Sequence, residues 1–466
     1  MKRIIVLSLL GFVISTALQA QYTDLHDFSL THADSGAYPY GGLYYDGNFL
    51  YGMAGDGGKY GYGVIFRIKP DGTQDTNLHD CSMNNGTGPA GSLTYTGGYF
   101  YGTTEGGGAN KKGVVFSIKP NGTGYTILHS FDSIDGKAPQ GGELFYNGTY
   151  LFGMTSFGGT NDDGVIFRIK SDGTGDTVLL KFSGLNGNHP DFSSLFSDGT
   201  YLYGMTQLGG ASNDGVIFRI KPDGTGDTNL LDFNGTNGQY PEASFISDGT
   251  YLYGTTRNGG SHGYGVIFRI KPNGTKDSVL FNFTGSTGAN PYCTLLSLGP
   301  YLYGTTSNGG ANNIGALFRI KPDGTGYIDL HDFDIAKGNV PFSSLITDGI
   351  SLYGTTEGGG ANNNGVIYSY KDTSITTGLN EATLATNEIK VYPNPNDGIF
   401  TIESSVNGRQ SLEIYNMLGE KIYTETLRQA QGDNTINLSN EAKGLYLYRL
   451  LTPEGKQLSQ GKFIIQ

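Results

Sequence analysis

Asp162, Asp163, His189, Asp191, Arg257 and His262 are the residues of this chain best suited by type to do chemistry. Each is a polar residue present in a single copy of a sequence that otherwise repeats itself, and a single site has to break repeat symmetry. No pair among them has the spacing of a metal site or a nucleophile–base pair, so they define a candidate ligand-binding set, with no catalytic constellation and no metal site. A second set, His26, His79, His129 and His331, shares one register of the repeat. Leu180, Leu231 and Phe281 occupy that register in other copies, which favours bulk and packing over metal ligation. The many glycine-rich loops do not read as phosphate cradles, because a strand follows each where a helix N-terminus would be needed. No cofactor is implied.

The elements that must position these residues follow from the repeat. An aromatic–glycine pair recurs at Tyr51-Gly52, Tyr101-Gly102, Phe152-Gly153, Tyr203-Gly204, Tyr253-Gly254, Tyr303-Gly304 and Tyr353-Gly354, at intervals of 50 or 51 residues. A second glycine follows eleven residues later in each copy and opens an apolar run such as Val266-Ile267-Phe268. One copy, 240–283, shows four strand signals, at 242–247, 251–256, 265–271 and 278–283, separated by Asp-Gly, Asn-Gly-Gly and Pro-Asn-Gly turns. Four antiparallel strands per unit of this length form the blade of a propeller. The seventh copy lacks its fourth strand, while Thr23–Phe28 matches the fourth-strand pattern of Ile328–Phe333 and stands alone before the first complete copy. The expectation is an all-β fold over 22–370: a seven-bladed β-propeller, closed by the N-terminal strand pairing beside 365–370, which removes the open sheet edges.

The flanks carry their own signals. Lys2 and Arg3 precede an apolar stretch from Ile4 to Leu18, the pattern of a signal peptide over 1–20 with cleavage between Ala20 and Gln21 or three residues earlier. The run is shorter than a membrane span, and no comparable run follows, so no integral membrane segment is expected after signal removal. A linker is read at 371–389, followed by short alternating strands that suggest a small C-terminal β-sandwich over 390–466.

With 30 basic and 42 acidic residues and a formal net charge of −12, the chain lacks the basic face that nucleic acid requires. Its 76 glycines and 12% aromatic content fit short strands and frequent turns with enough apolar bulk for a β core. Cys81 and Cys293 occupy different repeat positions, which argues against a disulfide between them. The five Arg residues that follow the apolar run, Arg67, Arg168, Arg219, Arg269 and Arg319, read as snorkelling edges of buried strands.

Two resemblances add to this reading. The motif L-Y-G-T-T-x-x-G-G-x-x-x-x-G-V-I-F, as at 252–268, resembles the GloVer tandem repeat of exported bacterial proteins, a family that implies the architecture and no reaction. Tyr392-Pro393-Asn394-Pro395, the segment ending in Gly419, Gly444-Leu445-Tyr446 and the terminal stretch from Lys462 resemble, in order, the C-terminal sorting domain of the type IX secretion system. That resemblance implies the secretion machinery as a partner and a secreted or outer-surface location reached through the periplasm. Between a binding module for a glycan or protein and a secreted, for example glycan-active, enzyme, the constant length of the second-to-third loop favours the binding module. A structural surface protein is the third alternative. Any ligand is expected on the face that carries the second-to-third loops and the crossings between repeats, since the first-to-second and third-to-fourth turns are tight.

Overall fold

The computed structural model describes residues 21–30, 36–373, 389–392, 398–404, 410–416, 421–427, 434–439, 441, 444–451 and 457–465. They divide into two units, Met1–Ile375 and Thr376–Gln466. Every regular element among them is a strand, and no helix among them is long and apolar enough to cross a membrane.

The first unit contains seven four-stranded antiparallel sheets, numbered 1 to 7 along the chain. In sheet 5 the strands are Ile246–Ser247, Leu252–Thr256, Val266–Ile270 and Ser278–Asn282, paired in sequence order. The first strand is shorter than its sequence signal, because residues 242–245 are buried without pairing to the second strand. The second and third strands are buried almost throughout. Gly254 is dictated by this packing: a Cβ there would lie 2.7 Å from Cζ of Phe268, the aromatic opposite it.

Sheet 7 takes its fourth strand from the other end of the unit. Gln21–Asp27 pairs antiparallel with Val366–Lys371, Thr23 opposite Ser369 and Asp27 opposite Val366. Asp372 then stands where five of the other copies carry a turn proline and the third carries Ser171. Arg168 in sheet 3 donates to the carbonyl of Pro222 at 3.0 Å, and the Arg269 and Arg319 guanidiniums stack 4.6 and 4.3 Å over Tyr251 and Tyr301. For Arg319 the acceptor is the buried carboxylate of Asp372, at 2.6 Å, which also accepts from Tyr303 at 3.0 Å. The five arginines therefore tie sheet 1 to 2, 3 to 4, 4 to 5, 5 to 6 and 6 to 7, a firmer role than a snorkelling edge.

Packing between sheets follows the chain. One apolar cluster joins sheet 1 to sheet 2 through Tyr51, Ile65, Phe100 and Phe116. Equivalent clusters join each later pair, and another, with Phe28, Leu43, Phe66, Tyr353 and Ile367, joins sheet 7 to sheet 1. Burial of one such aromatic or aliphatic side chain contributes about 1.5–3 kcal/mol. Cys81 and Cys293 are both free and buried.

The second unit has a three-stranded sheet containing Ile399–Ser404 and a four-stranded sheet containing Gln410–Tyr415 and Gly444–Leu451. Phe400, Ile402 and Ile436 from the first share one core with Leu412, Tyr446, Leu450 and Phe463 from the second.

Candidate functional site

Two positions of the repeat vary in chemical type where their surroundings do not. One follows the proline of each crossing: Tyr40, Ala90, Gln140, Asp191, Glu242, Tyr292 and Phe342. The other comes immediately after the end of each second strand: Gly55, Glu105, Ser156, Gln207, Arg257, Ser307 and Glu357. The fold brings five of the crossing residues against the strand-end residue of the preceding copy. Gln140 Nε2 donates to Glu105 Oε1 at 2.6 Å, Gln207 Nε2 donates to Glu242 Oε1, and Tyr40 donates to Glu357 Oε1 at 3.2 Å. Arg257 lies 3.4 Å from Glu242 and stacks 5.1 Å over Tyr292. The Tyr292 ring meets Phe342 at 4.3 Å, and Phe342 meets Tyr40 at 6.0 Å.

Burial makes this group electrostatically unusual. Glu242 is 1% exposed, and its Oε2 has no hydrogen-bond partner among the described residues. Desolvation pushes its pKa up to about 7 against the opposing pull of Gln207 and Arg257. Asp191 is raised for the same reason, with Ser156 opposing, and its Oδ1 is likewise unpartnered. Burial also raises Glu357.

Tyr40, Tyr292 and Phe342 line one cavity of about 780 Å³, whose wall is built from the first strands and crossings of all seven copies. Hydroxyls on that wall link successive copies. The N–H groups of Gly42, Glu143, Ser244 and Thr294 donate to Ser92, Ser194, Thr294 and Ser344 at 2.9, 2.7, 3.0 and 3.1 Å.

Of the residues singled out by sequence, Asp191 and Arg257 fall in this group. His189 lies next to it, its ring 4.5 Å from Phe157. Asp162 is farther out in its loop, where it pairs with Lys137 at 2.9 Å and accepts from the Gly158 N–H at 2.9 Å, and those bonds hold its carboxyl below the usual range. Asp163 presents its backbone carbonyl to the His189 N–H at 3.0 Å. His262 is exposed, beside Ser261 Oγ at 2.9 Å. Glu105, Gln140, Gln207, Glu242, Tyr292 and Glu357 escaped the sequence reading, although the change of type at the post-proline position was visible there.

The four register-sharing histidines divide in two. His79 and His331 stack on Tyr125 and Tyr22 at 3.7 and 4.2 Å, which is packing. His26 and His129 instead face Asp75 and Asp176, at 3.8 and 3.5 Å, because the stacking tyrosine is replaced by aspartate in those copies. Asp135 also lies 2.8 Å from His129, so His129, Asp135 and Asp176 are close enough to hold a metal ion. The same geometry is satisfied by an imidazolium between two carboxylates.

A family model, the Gloeobacter/Verrucomicrobia repeat, matches residues 9–150, 135–275 and 245–404. The chain belongs to this repeat family. The secretion system C-terminal sorting domain matches residues 390–466 of the chain, and that domain implies export to the cell surface or outside and interaction with the type IX secretion system.

No curated protein matches the chain. Among solved structures, the extracellular domain named for a hybrid two component system of B. thetaiotaomicron is similar at 11% identity and a TM-score of 0.50, over 96% of this chain and 58% of that one. PorZ of Porphyromonas gingivalis is 15% identical over 90% of this chain and 64% of that one, with a TM-score of 0.34. TolB of Acinetobacter baumannii is 14% identical over 57% and 59%, with a TM-score of 0.38. The chain thus spans about three fifths of the length of these solved chains. The first likeness is one of fold: an all-β repeat family member built from four-stranded sheets, like its propeller-type neighbours.

Within the sorting domain, Tyr392 ends the strand Ile389–Tyr392. Gly444 opens the strand Gly444–Leu451, and Lys462 pairs with Leu447. Tyr446 is buried, its ring stacked 5.7 Å from Phe463. Pro393, Asn394, Pro395, Gly419 and Ala20 lie outside the described residues, and Gln21 begins the strand that pairs with sheet 7.

Proposed function

We propose that this chain is a secreted or surface-attached binding protein, delivered through the periplasm and the type IX machinery, whose repeat unit is a seven-bladed β-propeller holding a glycan at one end of its axial cavity. In this reading residues 1–20 are the signal peptide, 22–370 the propeller, 371–389 a linker and 390–466 the sorting domain. The apolar cluster between sheets 7 and 1 supports closure of the ring, together with the N-terminal strand in sheet 7.

The observation that carries the binding role is the set of crossing and strand-end residues around Tyr292. Aromatic faces beside hydrogen-bonded amides, carboxylates and one guanidinium are what a sugar needs: a flat apolar surface and fixed hydrogen-bonding groups. Glycan-array binding by the full chain, lost in Tyr292→Ala and kept in a fold-checked rim variant, is the expected result. An array on which the chain binds no glycan sinks the glycan assignment. For export, removal of 390–466 should leave the repeat unit in the periplasm, and its appearance on the surface or in the medium contradicts the proposed route.

A specific observation also favours a catalytic reading. Glu242, with its pKa near 7 and Asp191 beside it, has the protonation behaviour of a general acid. Hydrolysis of any array-positive glycan, abolished by Glu242→Gln while binding persists, identifies an enzyme; binding without turnover identifies a binding module.

A further inference from the structure

The intervals of 51 residues in the repeat have a structural cause. Between the crossing proline and the buried residue of the first strand, copies 3 and 4 run from Pro139 to Leu144 and from Pro190 to Leu195, one residue longer than Pro39 to Leu43 or Pro291 to Leu295. The second-to-third loops keep their length, and the insertions fall on the cavity wall. Both produce a bulge with left-handed backbone, Gly141 at φ 71° and Phe192 at φ 54°. Phe192 folds its ring onto Gly141, where a Cβ would lie 2.2 Å from Phe192 Cδ1. An aromatic residue held at positive φ is a local cost that persists only when its surroundings enforce it.

The bulge delivers Glu143 into the cavity. Glu143 is the one charged residue among those that line it. Its N–H is fixed by Ser194 Oγ at 2.7 Å, and no cation or hydrogen-bond donor meets its carboxylate among the described residues. Glu143 is exposed to the cavity's solvent, and desolvation by the protein around the cavity raises its pKa to about 7. Beside Tyr292, whose ring lies under Arg257, Glu242 pairs with that arginine, while Glu105, Asp191 and Glu357 meet Gln140, Ser156 and Tyr40 instead. A low-dielectric cavity with carboxylates of one sign concentrates cations.

We propose that the axial cavity binds a small polyhydroxylated amine of the amino-sugar class, its ammonium paired with Glu143, its carbon frame against Phe192 and its hydroxyls on the serine and threonine wall. The assignment deepens the glycan reading and rests on the same cavity. The ammonium supplies the donors that Glu143 lacks, and a charged hydrogen bond in a confined site is stronger than a neutral one.

The test is calorimetric titration of the full chain with glucamine and with sorbitol, its neutral twin, at pH 8. Glucamine is expected to bind at least tenfold more tightly than sorbitol. Glu143→Gln should erase that preference and leave sorbitol binding unchanged, with thermal melts at pH 5 establishing that the variant is folded. Wild-type affinity for glucamine should fall as pH drops from 8 to 5.5, because Glu143 is then protonated. Equal binding of the two probes, absence of glucamine binding, equal glucamine affinity in wild type and Glu143→Gln, or displacement of glucamine by potassium chloride at matched concentration in both proteins overturns the amine assignment. Array binding of neutral glycans that Tyr292→Ala abolishes would stand in each of those cases, so failure of the amine site is separable from failure of the glycan reading.

Discussion

The sheet interiors and the axial end of the cavity share one repeat and treat it oppositely. In the interior, the pairing of Gly254 with Phe268 recurs as Gly204 with Phe218 and Gly304 with Phe318, each glycine tolerated by no larger residue. At the axial end, the position after the crossing proline is Tyr40 in one copy, Glu242 in another and Phe342 in a third. Packing constrains residues that meet the same neighbours in every copy, and it leaves free those after the crossing prolines, three of which, Tyr40, Tyr292 and Phe342, line the cavity. Symmetry kept therefore marks stability, and symmetry broken marks where a single ligand can be recognised.

The largest way to break this comparison is to remove residues 21–28. The interior account assigns them the outer strand of sheet 7 and, through Phe28, part of the core between sheets 7 and 1. At about 1.5–3 kcal/mol for each buried apolar side chain, their loss should lower the melting temperature by roughly 10 °C or more in scanning calorimetry and broaden the transition. An unchanged melt would mean that the strand is dispensable.

Asp372→Ala comes next, because it strands the nearly buried Arg319. Breaking one side of a buried pair costs about 3–5 kcal/mol, measurable as a shift in denaturant midpoint. A neutral result would separate sheet 7 from the others.

Glu242→Gln sharpens the other side of the comparison. A carboxyl whose folded pKa is raised from 4.5 to about 7 binds more protons in the folded than in the unfolded state between those values, so wild-type stability falls as pH rises through that window. The glutamine variant should match wild type near pH 4 and gain about 1–3 kcal/mol at pH 8. A loss at pH 8 would show that the Arg257 pair outweighs desolvation.

Asp162→Ala is the smallest effect. Its pair with Lys137 is exposed, and such pairs contribute about 0–1 kcal/mol. Urea titration should find little change.

The repeated four-stranded sheets were legible in the sequence because strand, turn and glycine signals are local and repeat seven times; even the displaced strand at 23–28 carries the pattern of 328–333. The site was legible only at Asp191 and Arg257. Glu242 and Gln207 are 35 residues apart and meet across two copies, a contact that periodicity within one copy does not contain. Glu143 was hidden differently: the interval of 51 residues announced an insertion, yet only the bulge shows that it lands on the cavity wall. For the histidines the deciding residue is in the next copy, Tyr125 against His79 but Asp176 against His129.

The most direct test of the claim that broken symmetry at the axial end is the binding site is a side-by-side glycan array. Wild type is compared with Tyr292→Ala/Glu242→Gln, altered beside the cavity, and with Asp162→Ala/His262→Ala, altered in the outer loops, after matched thermal melts. Loss of signal in the first double variant and retention in the second is the predicted result; retention in the first with loss in the second would contradict it.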